Sequence, residues 1–137
     1  MKIKNIFISY SFSDRKKFEN LHKKLKNNFK DNFEIELYSF VFDNHQSFSN
    51  NKEMMTKALN KINKTDMLIA ETSFKKIGIG LEVGYAKALN KKIIYIHKNG
   101  TEISNTVEGV SDINIEYKNI DDLLKKINIF LVKNKNE

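Results

Sequence analysis

Two carboxylates separated by a glycine-containing segment are the residues of this chain best placed to do chemistry. The run Asp66–Glu71 is apolar and ends in a carboxylate, and the run Gly78–Ala86 brings in Glu82 after two glycines. We predict a strand over the first run and a helix that begins near Glu82. Ligands of α/β proteins bind beyond the carboxyl ends of the strands. The start of a helix favours the ionised, nucleophilic form of a carboxylate. Position alone leaves two roles open for Glu82, catalysis or simply opening the helix.

Composition limits the class of protein. The 137 residues suffice for one domain with a real core. The chain has no cysteine, which excludes disulfides and thiol chemistry. No apolar stretch approaches the roughly 18 residues needed to span a bilayer. The first residues, Met1–Asn5, run into a strand pattern and do not resemble a signal peptide, so we expect a cytoplasmic protein without a membrane partner.

The net charge of +7 does not by itself indicate nucleic-acid binding. Lysines are scattered along the chain, Arg15 is the single arginine, and no basic face with interleaved aromatic residues stands out. The charge suits a small phosphorylated substrate better. The histidines at positions 22, 45 and 97 lack the spacing of metal ligands, so we expect no metal.

Strand and helix patterns alternate along the chain, which predicts a parallel sheet with helices on both faces. The polar stretch 44–51 and the Asn99–Gly100 pair are expected to be a loop and a turn, and residues 133–137 are expected to fray. The predicted helices run from a cap at Ser13 and Asp14 to about Asn28, and over 53–64, 81–89 and 120–132. The predicted strands cover 3–10, 33–40, 67–70, 92–97 and 113–117.

Over nearly its whole length the chain resembles the nucleoside 2-deoxyribosyltransferase superfamily, which includes the 2'-deoxynucleoside 5'-phosphate N-hydrolases. The strongest similarity covers residues 66–73 and 78–86, and residues 12–15, 42–46 and 103–109 support it. The resemblance implies a single domain, 1–137, with a flavodoxin-like three-layer fold. Its five-stranded parallel sheet would have the order 2-1-3-4-5. It also implies a homodimer or larger homo-oligomer.

The resemblance implies that Glu82 is the nucleophile in cleavage of an N-glycosidic bond. Breaking this bond builds positive charge on the sugar, and a carboxylate below the ring stabilises that charge or forms a covalent glycosyl ester. Water then completes hydrolysis, or a second base completes transfer. The chemistry needs no cofactor, and the implied ligand is a nucleoside or nucleotide.

The resemblance also implies a set of substrate-binding residues. Ser9, Tyr10, Ser11 and Phe12 would line the sugar or phosphate side, His45 and Gln46 would read the base, and Gly78 and Gly80 flank the nucleophile. Lys76 and Ser104 stand at positions where the monophosphate hydrolases contact the 5'-phosphate. The serine that Ser104 matches makes this contact from a neighbouring subunit. Loop, capping and core roles remain open for all of these residues.

One position departs from the family pattern and leaves other functions open. Many members carry an aspartate where this chain has Ala58, so a partner carboxylate is missing unless Glu71, Asp43 or Glu53 replaces it. A nucleotide-binding module without turnover is therefore one alternative. A second is an NAD glycohydrolase, because residues 7–14 resemble the opening strand and loop of TIR domains.

Overall fold

A computed structural model of the chain describes residues 2–135, with side chains through Asn134. Its five strands form one parallel sheet in the order β2-β1-β3-β4-β5, which confirms the predicted fold class. The strands are β1 (Asn5–Ser9), β2 (Glu36–Tyr38), β3 (Met67–Glu71), β4 (Lys92–Lys98) and β5 (Ile113–Tyr117).

Six α-helices and one 3-10 turn connect the strands. They are the 3-10 turn Arg15–Phe18, α1 (Glu19–Phe33), α2 (Phe40–Asp43), α3 (Asn51–Asn63), α4 (Ile77–Ala88), α5 (Asn105–Val110) and α6 (Ile120–Lys135). None of the helices within residues 2–135 is long and apolar enough to cross a bilayer.

The alternation of side chains along each strand divides the core into two halves. Ile6 and Ile8 of β1 pack with α1 and α6 on one face of the sheet. Phe7 packs with Ile62 of α3 and Val83 of α4 on the other. Because all strands are parallel, their carboxyl ends lie along one edge, where the loops after β1, β2 and β3 meet.

Asp66 fixes the register at the opposite edge. Its carboxylate accepts hydrogen bonds from the backbone amides of Lys4 and Asn5, at 2.8 and 3.1 Å, just before β1 pairs with β3. Asp66, which begins the apolar run, is therefore structural.

The element boundaries correct several predictions. The expected cap by Ser13 and Asp14 is wrong: Asp14 makes no capping bond, because its carboxylate accepts from the Ser11 hydroxyl at 2.6 Å, and a 3-10 turn comes first. The sequence did not predict the short helices α2 and α5. Lys133–Lys135 continue α6 instead of fraying, and residues 136–137 lie outside the described part.

The most consequential correction concerns α4. The glycines at 78 and 80 suggest a loop, but the helix begins at Ile77 and Glu82 is its sixth residue. Each glycine costs about 1 kcal/mol relative to alanine in a helix. The packing of Ile79, Val83 and Ala86 against the sheet outweighs that cost.

Candidate functional site

A cavity of about 880 Å³ opens at the carboxyl edge of the sheet, between the loop after β1 and helices α2, α3 and α4. Most of its lining is apolar, and Glu82 is the one carboxylate among the described residues that line it. This arrangement matches the usual ligand site of a parallel α/β sheet. The lining residues are Tyr10, Phe12, Ser13, Phe40, Val41, Asn44, Phe48, Met54, Met55, Ala58, Lys75, Lys76, Ile77, Gly78, Ile79 and Glu82.

Burial governs the electrostatics of Glu82. Removal from water disfavours the charged form and raises the pKa of this carboxyl to about 7. The expectation that the helix dipole favours ionisation is wrong, because the dipole acts mainly within the first turn and Glu82 lies in the second. At neutral pH the site therefore holds a mixture of protonated and ionised Glu82.

Ser9, at the end of β1, lies beside this carboxyl. Its side chain is buried, and its Oγ is the single buried side-chain polar atom in the described part of the chain without a hydrogen-bond partner. The nearby hydroxyl partly opposes the rise in the pKa of Glu82. An unpaired buried hydroxyl costs about 1–3 kcal/mol, so this position favours a partner that arrives in the cavity or an ionised Glu82.

The rest of the predicted β1 loop divides between site and core. Tyr10 and Phe12 line the cavity, whereas Ser11 is buried and bonded to Asp14. The Tyr10 hydroxyl pairs with Nδ1 of His22 at 3.0 Å, and Nε2 of His22 pairs with Asp43 at 3.1 Å. This chain of contacts holds the Tyr10 ring in the cavity wall.

The predicted phosphate residues lie on one side of the main cavity. Lys76 precedes α4 and lines both the main cavity and a smaller one of about 350 Å³, which also contains Gly80, Ser104 and Thr106. Lys75 is paired with Glu102 at 2.9 Å, and no carboxylate of the described residues makes an ion pair with Lys76. Lys76 therefore remains available to a phosphate within a single chain.

His45 and Gln46 do not line the cavity that contains Glu82. They line a neighbouring cavity of about 450 Å³, bounded by the loop after α2 and by α3. The two cavities share Phe40 and Asn44. The structure thus places the predicted base-reading residues next to the Glu82 cavity and outside its wall.

Glu71, Asp43 and Glu53 do not replace the missing partner carboxylate. Glu71 is buried and accepts from the hydroxyls of Tyr117 and Ser73. Asp43 accepts from Lys26 at 2.7 Å and from His22, and Glu53 accepts from the Ser49 amide at 3.1 Å. Glu71 and Glu53 lie outside the linings of all three cavities described here, and Ala58 lines the Glu82 cavity from α3.

The sequence did not predict most of the apolar residues that line the site. Phe40 comes from the unpredicted helix α2, and Phe48 lies in the stretch 44–51, for which we predicted a polar loop. Met54 and Met55 belong to α3 and line the cavity. Within residues 2–135, no group of three or more His, Asp and Glu side chains could hold a metal ion.

No protein-family model matches the chain, and no curated protein sequence matches it. Solved structures do match. The CMP N-glycosidase of Clostridium botulinum is 19% identical with a TM-score of 0.69, covering 92% of this chain and 99% of its own. A conserved protein from Enterococcus faecalis V583 is 14% identical with a TM-score of 0.71, covering 94% and 99%. A 2-deoxyribosyltransferase from Bacillus psychrosaccharolyticus is 13% identical with a TM-score of 0.67, covering 88% and 90%. The chain shares the fold of these proteins.

Proposed function

We propose that this protein cleaves the N-glycosidic bond of a nucleoside or nucleoside 5'-monophosphate, with Glu82 as the nucleophile. The observation that carries the proposal is the position of Glu82: it is half-buried and is the one carboxylate among the described residues that line the apolar cavity at the carboxyl edge of the sheet. The shared fold with an N-glycosidase and a deoxyribosyltransferase adds support, as does the motif around Glu82.

The proposed reaction has two displacement steps. The Glu82 carboxylate attacks the anomeric carbon while the carbon–nitrogen bond breaks, and the base leaves with the electron pair and takes up a proton. Water, or a second base, then attacks the anomeric carbon and releases the carboxylate. Only ionised Glu82 can start the first step, so its raised pKa places the acid limit of activity near neutral pH.

The leaving base has no carboxylic acid beside it in the described part of the cavity. Its proton therefore comes from solvent, and we expect modest turnover. The same feature favours the second candidate function, a nucleotide-binding module without turnover, since Ala58 stands where a partner acid would act.

The cations and hydroxyls beside Glu82 favour a phosphorylated substrate. Lys76 joins the main cavity to the one that contains Ser104 and Thr106. A charge-assisted hydrogen bond contributes about 1.5–3 kcal/mol, which corresponds to roughly 10- to 150-fold in binding. We further propose that the protein is a homodimer.

The direct test is incubation with a panel of nucleosides, nucleoside 5'-monophosphates and NAD, with the free base detected by chromatography. We expect release of base from a monophosphate. Lys76→Ala should raise its KM by roughly 10-fold or more and leave a nucleoside nearly unaffected, while Lys87→Ala, an exposed lysine at the far end of α4, serves as the control. Release of nicotinamide alone would favour the TIR-like reaction, and binding without release would favour the binding module.

A further inference from the structure

The cavity beside the Glu82 cavity has a cationic wall. Lys57, Lys61 and Lys64 all line it and follow one another along α3 and its end at spacings of four and three residues. This spacing places the three side chains on one side of the helix. The stripe is therefore a local feature of one concave surface, distinct from the general lysine content of the chain.

No carboxylate of residues 2–135 balances this stripe. None of the three lysines makes an ion pair in the described structure. Asp43, the single acid of the cavity lining, has its oxygens occupied by Lys26, His22 and the Ser39 amide. Like charges three and four residues apart destabilise a helix, so the stripe costs stability unless an anion neutralises it.

Aromatic rings and an amide hold two of the ammonium groups at the cavity wall. Lys61 Nζ lies 4.7 Å from the centre of the Tyr38 ring. Lys57 lies over Phe48 and donates to the Gln46 carboxamide. Asn44, Asn60 and His45 add further polar groups to the same lining. This combination of cations and amide donors is suited to the oxygens of a phosphoryl group.

The cationic cavity adjoins the Glu82 cavity, because Phe40 and Asn44 line both. We infer that Lys57, Lys61 and Lys64 bind a second phosphoryl group, distant from the one proposed at Lys76. The ligand that spans the two adjoining cavities is then a dinucleotide-sized molecule with one phosphoryl group at Lys76 and another at the α3 lysines. This inference rests on the proposed function for the ligand in the Glu82 cavity, but the phosphoryl site itself does not require turnover.

The test measures binding in the Glu82→Gln protein, so that its result does not depend on catalysis. Calorimetric titrations compare a nucleoside 5'-monophosphate, a dinucleotide with phosphoryl groups at two separated positions, and inorganic pyrophosphate. In this background the variant Lys57→Gln/Lys61→Gln/Lys64→Gln is compared with Lys23→Gln/Lys24→Gln/Lys125→Gln, which removes the same charge at exposed positions of α1 and α6. Circular dichroism checks folding, and Lys61→Gln alone replaces the triple variant if that one fails to fold.

We expect the dinucleotide to bind at least tenfold more tightly than the monophosphate. In the α3 triple variant, the affinity for the dinucleotide should fall by about 10-fold or more, while the affinity for the monophosphate changes little. The control variant should keep the tighter binding of the dinucleotide. Pyrophosphate should bind and should compete with the dinucleotide.

If pyrophosphate binds but the dinucleotide binds no more tightly than the monophosphate, the site takes a separate anion and the dinucleotide assignment is overturned. Equal losses in both triple variants would overturn the site altogether. If no substrate of the panel releases its base but the dinucleotide binds tightly, the result contradicts the glycosidase proposal and leaves the phosphoryl site supported.

Discussion

At the scale of single residues, burial and the nearby Ser9 hydroxyl together set the pKa of Glu82, and with it the pH at which the site can work. Burial raises the pKa of Glu82 to about 7, and the Ser9 hydroxyl opposes that rise. The ionised form is the proposed nucleophile, so activity should increase as pH rises through 7.

Ser9→Ala should move the acid limit of kcat/KM to higher pH, because it removes the group that opposes the rise in the pKa of Glu82. A hydrogen bond to a charged group contributes about 1.5–3 kcal/mol, so activity at pH 6 should fall by roughly tenfold or more and recover at high pH. The pH profile is the measurement. Ser11→Ala is the matched control, since Ser11 is also buried in the same loop but bonds to Asp14. An unmoved limit in Ser9→Ala would show that the hydroxyl does not act on Glu82.

Residue types were the most useful guide to the candidate site in the sequence. The burial of each side chain was the property that the sequence predicted least well. Glu82, Tyr10, Phe12, Lys76 and Gly78, which the sequence singled out by residue type and motif, line one cavity. The raised pKa of Glu82 could not be predicted, because it depends on how deeply tertiary packing buries a side chain.

At the scale of elements, Asp43 ties α2 to α1. Burial alone would raise the pKa of its carboxyl, but hydrogen bonds from His22, Lys26 and the Ser39 amide outweigh burial and lower the pKa. These contacts anchor the end of α2, from which Phe40 and Val41 reach the cavity.

Asp43→Asn should destabilise the protein by on the order of 1–3 kcal/mol at pH 7, because the bond from Lys26 loses its charge assistance. The folded-state pKa lies below the unfolded value of about 3.9, so the contribution is present above that pH and is lost as pH falls below it. Urea unfolding at pH 7 and at progressively lower pH tests this. Asp31→Asn, at an exposed position of α1, should have little effect. A deficit that stays constant down to low pH would contradict the electrostatic explanation.

Periodicity predicted every strand and the long helices, and it failed where structure depends on distant contacts. The helix α2 has only four residues, too few for a helical period to show. The start of α4 was misplaced because glycine preference is weak beside the packing of Ile79 and Val83. The loop after α2 places His45 and Gln46 in the cavity next to that of Glu82, and a sequence pattern does not show how such a loop is oriented.

At the scale of the whole molecule, α4 exposes large apolar side chains to solvent. Ile77 is 92% exposed and Leu81 is 51% exposed, while Ile79 and Val83 of the same helix are buried against the sheet. Large apolar side chains exposed close together are typical of an interaction surface. This observation supports the proposal that a second copy covers α4.

Sedimentation should therefore find a homodimer or larger assembly, and Leu81→Glu should shift it to monomer by placing a charge in the interface. Ile129→Glu, at an exposed apolar position of α6, is the control and should leave the assembly intact. A monomeric native protein at high micromolar concentration would exclude the proposed interface.

The most direct test of the central claim compares base release by the native protein and by Glu82→Gln at pH 8, where the native carboxyl is largely ionised. Glutamine keeps the shape and removes the nucleophilic charge, so kcat should fall by at least about 1,000-fold with folding retained. Glu108→Gln, an exposed glutamate of α5, should retain full activity. A Glu82→Gln protein that still releases the base at the native rate would contradict the claim that Glu82 performs the reaction.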